Sequence, residues 1–162
     1  MRNAERYMLK VVAAMLVAAA EALAEERQGS SRRIVVSIPE RKLILIEAGR
    51  VVKTYTVAVG AATSPIPAGT FAVVARVLNP AWYQPGKVVP PGPANPLGPR
   101  WIGLNRKGYG IHGTNSPSSI GGAKSHGCIR MRNADVQELF DLVEVGDTVE
   151  LLAEPLTEPQ VY

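Results

Sequence analysis

Apolar residues alternate with polar ones through most of positions 33–78, and this alternation is the strongest constraint on the fold. Successive side chains of a β-strand point to opposite faces, so each such segment predicts a half-buried strand. Ala48-Gly49 has the composition of a hairpin turn between two of these segments. The pattern favours a β-meander or one layer of a β-sandwich. The predicted strands are 33–38, 42–47, 50–59 and 70–78.

The fourth predicted strand has the same period of two. Phe71, Val73, Ala75 and Val77 are expected on one of its faces, and Arg76 on the other. The first half of the folded chain is therefore predicted to be all β.

Positions 79–99 interrupt the pattern with seven of the chain's thirteen prolines and three of its fifteen glycines. A segment of this length without periodicity is typically a functional lid or a disordered linker. Strand-like sequence follows directly, and Trp82, Tyr83 and Trp101 provide side chains for packing. We therefore predict a loop that shapes or covers a cleft. The alternative is a surface excursion without ligand contacts.

The second half combines short strands with a helix. Strands are predicted at 100–104 and 109–112, around a turn at 105–108, and a last strand at 147–152. Asn133 is a predicted helix cap, and Gly146 a predicted helix stop. The resulting fold is mainly β with one or two short helices. The apolar residues at helical spacing are Val136, Leu139, Phe140 and Val143.

The amino terminus has the three parts of an export signal. Arg2, Arg6 and Lys10 flank or precede an apolar run, and Ala22-Leu23-Ala24 has the small residues that a signal peptidase reads. The run is shorter than the roughly 20 residues that a bilayer span needs, so no membrane anchor is expected after cleavage. The alternative is an amphipathic helix. The predicted segments are a signal peptide at 1–24, a short linker at 25–32, a folded domain at 33–152 and a C-terminal tail at 153–162.

Composition limits the partners. The chain is 46% apolar and 20% charged, which suits one ordinary globular domain. Its formal net charge is +4, and lysine and arginine form no run, so nucleic-acid binding is not expected. A mildly basic surface suits an anionic polymer. The signal and this charge predict an exported protein of the periplasm or cell envelope.

Both histidines and the single cysteine of the chain lie between positions 110 and 133. A thiolate is the nucleophilic form of cysteine, and an imidazole can take the thiol proton and return it to a leaving group. His126 precedes Cys128 by two residues, so their side chains share a face if the segment is extended. His112 ends a predicted strand and can approach across the sheet. The residues alone leave the choice of base open.

The neighbouring residues also suit a cysteine active site. The N–H groups of Gly127 and Cys128 are candidates for an oxyanion hole, and Arg130 for bidentate binding of a carboxylate. One alternative is a structural, buried Cys128, against which its polar neighbours argue. Another is a zinc site of His112, His126 and Cys128, whose spacing matches no metal signature. An unpaired thiol in an exported chain favours the reactive role.

Two motifs carry a family resemblance. Gly-Ile-His-Gly-Thr at 110–114 and Ser-His-Gly-Cys-Ile-Arg at 125–130 resemble the signature of YkuD-type L,D-transpeptidases, the cell-wall enzymes of bacteria. Ser-Pro-Ile-Pro-Ala-Gly-Thr-Phe at 64–71 extends the similarity upstream. The resemblance covers about 33–152, which it implies to be a catalytic domain. It implies a mixed β-sheet sandwich with a helix, and no metal or organic cofactor.

The resemblance also assigns roles. It implies that Cys128 is the nucleophile and His112 the general base. The backbone carbonyl of Gly113 would orient His112 through its other ring nitrogen. His126 would assist in positioning or in stabilising the intermediate.

Arg130, Ser125 and Gly127 are assigned to substrate binding, with Arg130 on a carboxylate. The implied partner is a tetrapeptide stem of peptidoglycan, whose third residue is attacked at its L-centre carbonyl with loss of D-alanine. A neighbouring stem amine would then form a 3→3 cross-link. With water as acceptor the same site is an L,D-carboxypeptidase or endopeptidase, and a non-catalytic wall-binding module is a remote alternative. Carbapenem-type β-lactams are the implied covalent inhibitors.

Overall fold

The computed structural model describes Met15, residues 32–125 and residues 127–157 of the chain. The chain divides into two compact units, Met1–Ser31 and Arg32–Tyr162. Most of the predicted signal peptide and linker, and the last five residues of the predicted tail, therefore lie outside the described residues and stay predictions. None of the helices in the described part of the chain has the length and hydropathy needed to cross a bilayer.

The second unit is mainly β, as predicted, and its described residues contain one α-helix. The strands at 42–47 and 100–104 begin and end at the predicted residues. Helix α1 covers Asn133–Leu142, and a 3₁₀ turn covers Pro117–Ser119. The strands are β1 (Arg33–Ser37), β2 (Lys42–Glu47), β3 (Arg50–Thr56), β4 (Val59–Gly60), β5 (Gly69–Leu78), β6 (Trp82–Gln84), β7 (Lys87–Val89), β8 (Arg100–Leu104), β9 (Gly110–His112), β10 (Ala123–Ser125), β11 (Ile129–Arg130) and β12 (Thr148–Leu152).

Eight strands form one mixed sheet in the order β11-β9-β8-β5-β12-β1-β2-β3. The strands β1, β2 and β3 form the predicted meander, but β5 does not continue it. Instead β12 lies parallel to β1, and β5 lies between β12 and β8. The reason is visible in β1, where Ile34, Val35 and Val36 are all fully buried. A strand buried on both faces is an interior strand that needs a neighbour at each edge.

The two faces of the curled sheet pack against different parts of the chain. One face packs on α1 and forms the main core, which includes Ile34, Leu43, Ile102, Ile111 and Leu139. The other face carries a small apolar cluster around Ile44, against which Leu152 and Leu156 near the C-terminus pack. The described part of the predicted tail is thus part of the folded unit.

A bulge in β5 determines which residues face the main core. The pairing of β5 with β8 shifts register between Val73 and Ala75. One extra residue reverses the alternation, so Val73 and Arg76 share the face directed at α1, and Val77 lies on the opposite face. Arg76 accordingly lies over the ring of Phe140, with its Cζ 4.3 Å from the ring centroid. The prediction of one common face for 71, 73, 75 and 77 is wrong for this reason.

Both predicted ends of the helix are also wrong. Arg132 is the N-cap residue and makes no capping bond through its side chain, whereas Asn133 already belongs to the helix. The Asn133 Oδ1 instead accepts a hydrogen bond from the Thr114 N–H at 2.8 Å, because a tertiary partner lies within reach. The helix ends at Leu142, four residues before Gly146, whose N–H donates to β5 at 2.9 Å.

Candidate active site

Three side chains from neighbouring strands form a row across one face of the sheet. Trp101 of β8 lies opposite His112 of β9, and Arg130 of β11 lies beside His112. Residues in register on adjacent strands direct their side chains to the same face, so this row faces away from the core residues Ile102 and Ile111. Because β9 and β11 are parallel, a crossover connection must join them, and residues 113–128 provide it.

His112 is buried, with 5% of its surface exposed. Its Nδ1 lies 2.6 Å from the carbonyl oxygen of Gly113. A carbonyl oxygen can only accept, so Nδ1 carries the proton and Nε2 of the neutral ring carries the lone pair. Burial lowers the pKa of His112 to about 4; the bond to Gly113 opposes this effect and the charge of Arg130 adds to it. The ring is therefore neutral at pH 7.

The thiol of Cys128 is partly buried and free of any disulfide. Its Sγ lies 3.4 Å from the carbonyl oxygen of Gly108, in the turn between β8 and β9. Burial raises the pKa of the Cys128 thiol, while a backbone hydrogen bond at Gly110 and the charge of Arg130 act in the opposite direction. The protonated thiol predominates at neutral pH, so a reactive thiolate requires transfer of this proton to a base.

The residues just before the cysteine hold its backbone in place. Ser125 is buried, and its hydroxyl donates a hydrogen bond to the Cys128 carbonyl oxygen. Gly127 has a φ of +95°, a region that side chains other than glycine rarely adopt. A Cβ at Gly127 would also lie 3.3 Å from Cε1 of Tyr109. The predicted site residues Ser125 and Gly127 therefore shape the segment that presents the thiol.

Arg130 is held by a short chain of hydrogen bonds. Its Nη1 donates to the Ser119 hydroxyl at 3.0 Å, and that hydroxyl donates to the Ser116 carbonyl oxygen at 2.6 Å. The Nε of Arg130 is buried without a hydrogen-bond partner, and burial lowers the pKa of the guanidinium. No carboxylate of the described residues forms an ion pair with it. Such a cation is suited to an anionic group of a ligand.

His112, Cys128 and Arg130 line one cleft of about 710 Å³. The proline-rich segment forms a wall of the same cleft, so the prediction that this segment shapes a cleft is confirmed. Its hairpin of β6 and β7 was not predicted from the sequence. The residues that this segment contributes are Asn79, Pro80, Ala81, Trp82, Tyr83, Gln84, Pro96 and Leu97.

Asn95, which sequence reasoning missed, holds this wall together. It is 1% exposed, and its Nδ2 lies within 2.8 to 3.2 Å of the carbonyl oxygens of Pro80, Val89 and Pro90. Its Oδ1 accepts from the Leu97 N–H at 2.8 Å. A single amide thus joins the beginning, middle and end of the segment. The available signal was that proline offers carbonyl acceptors but no N–H donor.

Gly113, whose carbonyl contacts His112, lies in a tightly filled environment. A Cβ at this position would lie 2.8 Å from Cδ of Pro99 and 3.2 Å from Cα of Gly98, and would collide with the Asn133 carboxamide. The next residue, Thr114, is tied to Asn133 through its N–H. The orientation of the Gly113 carbonyl is therefore restricted on both sides.

His126 lies outside the described residues, so its predicted assisting role stays a prediction. Among the residues that are described, no three His, Cys, Asp or Glu side chains are grouped to hold a metal ion. The zinc alternative includes His126 and is therefore not decided by this finding.

Similar sequences are found in two Bacillus species. The YkuD protein of Bacillus licheniformis is 45% identical over 119 residues, which are 74% of this chain and 64% of that protein. The YkuD protein of Bacillus subtilis is 43% identical over 116 residues, which are 72% of this chain and 63% of that protein. The chain thus spans slightly less than two thirds of the length of these relatives.

Solved structures share the fold. The catalytic domain of the Enterococcus faecium L,D-transpeptidase superposes with a TM-score of 0.62 at 25% identity, covering 75% of this chain and 96% of that one. LdtMt1 in complex with imipenem superposes at 0.64 with 23% identity, covering 76% and 60%. The Ldtfm-avibactam carbamoyl enzyme superposes at 0.65 with 25% identity, covering 78% and 50%.

The family model for YkuD, described as the L,D-transpeptidase catalytic domain, matches residues 31–151. This range contains all the strands except the final residue of β12. It also contains the row of Trp101, His112 and Arg130, and the thiol of Cys128. The chain therefore belongs to the YkuD family of L,D-transpeptidase catalytic domains.

Proposed function

We propose that this protein is a peptidoglycan L,D-transpeptidase in which Cys128 is the nucleophile and His112 the general base. The observation that carries the proposal is the bond between His112 Nδ1 and the Gly113 carbonyl oxygen. This bond leaves Nε2 as an unprotonated acceptor in the cleft that also contains the thiol and Arg130. A base needs an unprotonated atom with a lone pair, and Nε2 of the neutral ring is such an atom.

The resting pair in this proposal is a neutral thiol beside a neutral imidazole. The pKa of His112 is lowered to about 4 and the pKa of Cys128 is raised, both mainly by burial. A preformed ion pair is disfavoured, so the proton moves from Sγ to Nε2 as Sγ attacks the substrate. Arg130 favours the thiolate electrostatically, and it disfavours the imidazolium.

The reaction then has two halves. Sγ bonds to the carbonyl carbon of the third stem residue, the bond from that carbon to D-alanine breaks, and the imidazolium returns its proton to the departing amine. The acceptor amine next attacks the thioester and gives a proton to His112. The carbon–sulfur bond breaks, and the thiolate recovers the proton. The product is a 3→3 cross-link.

The remaining site residues would bind the changing charges. The N–H groups of Gly127 and Cys128 would stabilise the tetrahedral oxyanion, in a segment kept in shape by Ser125. Arg130, which has a buried and unpartnered Nε, would bind a substrate carboxylate. We assign an assisting role to His126 on the family resemblance alone.

The site of action and the inhibitors follow from the same proposal. A signal peptide at 1–24 would export the protein to the periplasm or cell envelope, where peptidoglycan is found. Carbapenem-type β-lactams would acylate Cys128, in agreement with the imipenem complex of LdtMt1 and the avibactam carbamoyl enzyme of Ldtfm. Incubation with imipenem should therefore increase the intact mass by one adduct.

The decisive experiment incubates the protein with disaccharide-tetrapeptide and identifies the products by mass. A dimer formed with loss of D-alanine supports transpeptidation, whereas tripeptide without dimer means that water is the acceptor. The Cys128→Ala variant should lose all turnover and still bind substrate. Turnover that survives in this variant refutes the cysteine mechanism. Binding to sacculi without turnover in the wild type would indicate the wall-binding module.

A further inference from the structure

Trp101 contacts the proposed base directly. The indole and imidazole rings are stacked, with centroids 5.7 Å apart and planes inclined by 22°. The two residues lie opposite each other on β8 and β9, and both line the cleft. The indole is therefore a wall of the pocket that contains the His112 ring.

Two glycines beside the indole leave room for this arrangement. Gly103 and Gly110 lie opposite each other, two register positions from Trp101 and His112 and therefore on the same face of the sheet. A Cβ at Gly110 would lie 2.6 Å from Cζ2 of the indole, and a Cβ at Gly103 would lie 2.9 Å from its Nε1. Real Cβ atoms do not approach so closely. The indole thus lies flat across the strand pair, in a space that any other residue at Gly110 would occupy.

From this geometry we propose that Trp101 is a positioning residue for His112: its indole fixes the plane of the imidazole and excludes water from it. A half-turn of the ring about χ2 would break the bond between Nδ1 and the Gly113 carbonyl oxygen, and would put Cδ2 in the place of Nδ1 and Cε1 in the place of Nε2. The stacked indole opposes that rotation, while the Gly113 carbonyl orients the ring from its edge. The inference concerns the same site as the proposed function and rests on it for its catalytic consequence.

The stack also explains the electrostatic state of the ring. Burial is the main cause of the low pKa of His112, and the offset stack of the indole shields part of one face of the imidazole. Among the described residues, Arg130 of β11, which also lowers this pKa, and the thiol of Cys128 line the cleft together with the ring. Tyr83 of the β6–β7 hairpin lines the same cleft. No carboxylate lines this cleft within the described part of the chain, so water exclusion is what Trp101 can change.

The test is an NMR titration of the histidine ring nitrogens in the full chain, with His112→Gln used to identify the His112 resonances. In Trp101→Ala, hydration of the imidazole should raise the pKa of His112 toward its ordinary value of about 6.5. Trp101→Phe keeps an aromatic ring and should show a smaller rise. Gly103→Ala keeps the indole but displaces it, and should raise the pKa as well.

Kinetics provide the second measurement. If the pKa rises from about 4 to about 6, the neutral fraction of the base at pH 5 falls about tenfold, while at pH 8 it hardly changes. The acid limb of kcat/KM should therefore shift in Trp101→Ala, and the loss should be largest at low pH. A merely structural role of Trp101 would lower activity equally at all pH values.

The inference is overturned if the pKa of His112 is unchanged in folded Trp101→Ala. If Trp101→Ala does not fold, an unchanged pKa in Trp101→Phe and Gly103→Ala overturns it instead. The ring titration does not depend on turnover. A protein without transpeptidase activity but with the expected pKa shift would therefore refute the proposed function and leave the positioning role supported.

Discussion

Acidification should destabilise this protein through one buried histidine. The pKa of His112 is about 4 in the folded state, because burial disfavours the charged ring, and about 6.5 in an unfolded chain. Below pH 6.5 the unfolded state binds a proton that the folded state does not, so the stability falls as the pH falls. The stability that the neutral His112 ring contributes is fully present above pH 6.5 and is lost by about pH 4. At 1.36 kcal/mol per unit, 2.5 units correspond to about 3 kcal/mol.

The measurement compares urea unfolding of the wild type and His112→Gln between about pH 4 and pH 7.5. Glutamine does not titrate, and its side-chain N–H groups can still donate to the Gly113 carbonyl oxygen. All other titrating groups are common to both proteins, so their contributions cancel in the difference. The free energy of unfolding of the wild type minus that of His112→Gln should fall by about 3 kcal/mol on acidification. A difference that stays constant over this range would refute the assignment of a neutral, desolvated His112.

Two further substitutions test the wall of the cleft and the core. Asn95→Ala removes the amide that joins Pro80, Val89 and Pro90, so we expect faster amide hydrogen exchange in the β6–β7 hairpin. The free energy of unfolding should fall by about 2 kcal/mol. The KM should rise, with a smaller change in kcat. Unchanged exchange in the hairpin would contradict the role of Asn95. Leu139→Ala empties a fully buried position of α1 and should cost about 2–5 kcal/mol in urea unfolding, whereas the exposed Asp141→Ala on the same helix should change stability by less than about 0.5 kcal/mol. Equal effects of the two helix variants would mean that α1 is not anchored through Leu139.

The positions of the strands are predicted well from the sequence, because burial repeats locally. The faces to which their side chains point are predicted wrongly where one residue is inserted. The alternation in 70–78 has no visible break, yet the register shift between Val73 and Ala75 turns Val77 to the cleft and Arg76 to α1. A bulge depends on the partner strand, so a pattern within one strand does not contain it. The order of the strands fails for a similar reason. The parallel pairing of β1 with β12 joins residues more than a hundred positions apart.

The site shows the same division between local and non-local information. The reactive types at Cys128 and His112 are visible in the sequence because few other side chains can perform this chemistry. Trp101 was expected only to pack, although the hairpin register that places it opposite His112 follows from the predicted turn at 105–108. The partners of Asn95 are carbonyl groups at the beginning and in the middle of a segment without periodicity, and an N–H group near its end. Nothing in the pattern of such a segment indicates which of its residues is buried.

Distance along the chain is a poor guide to the proposed base, because the candidate site is assembled by parallel strands. His126 precedes Cys128 by two residues, but the strand pairing places His112 beside Arg130, the second residue after the thiol. The crossover between β9 and β11 only has to return the chain to the same edge, so its length carries little information about the site. The register of β11 carries much more. A slip by one residue would turn the charged Arg130 toward the core and the fully buried Ile129 into the cleft. The burial of Ile129 therefore keeps a cation beside the imidazole, and the apolar face of this two-residue strand stabilises the geometry that its polar face needs.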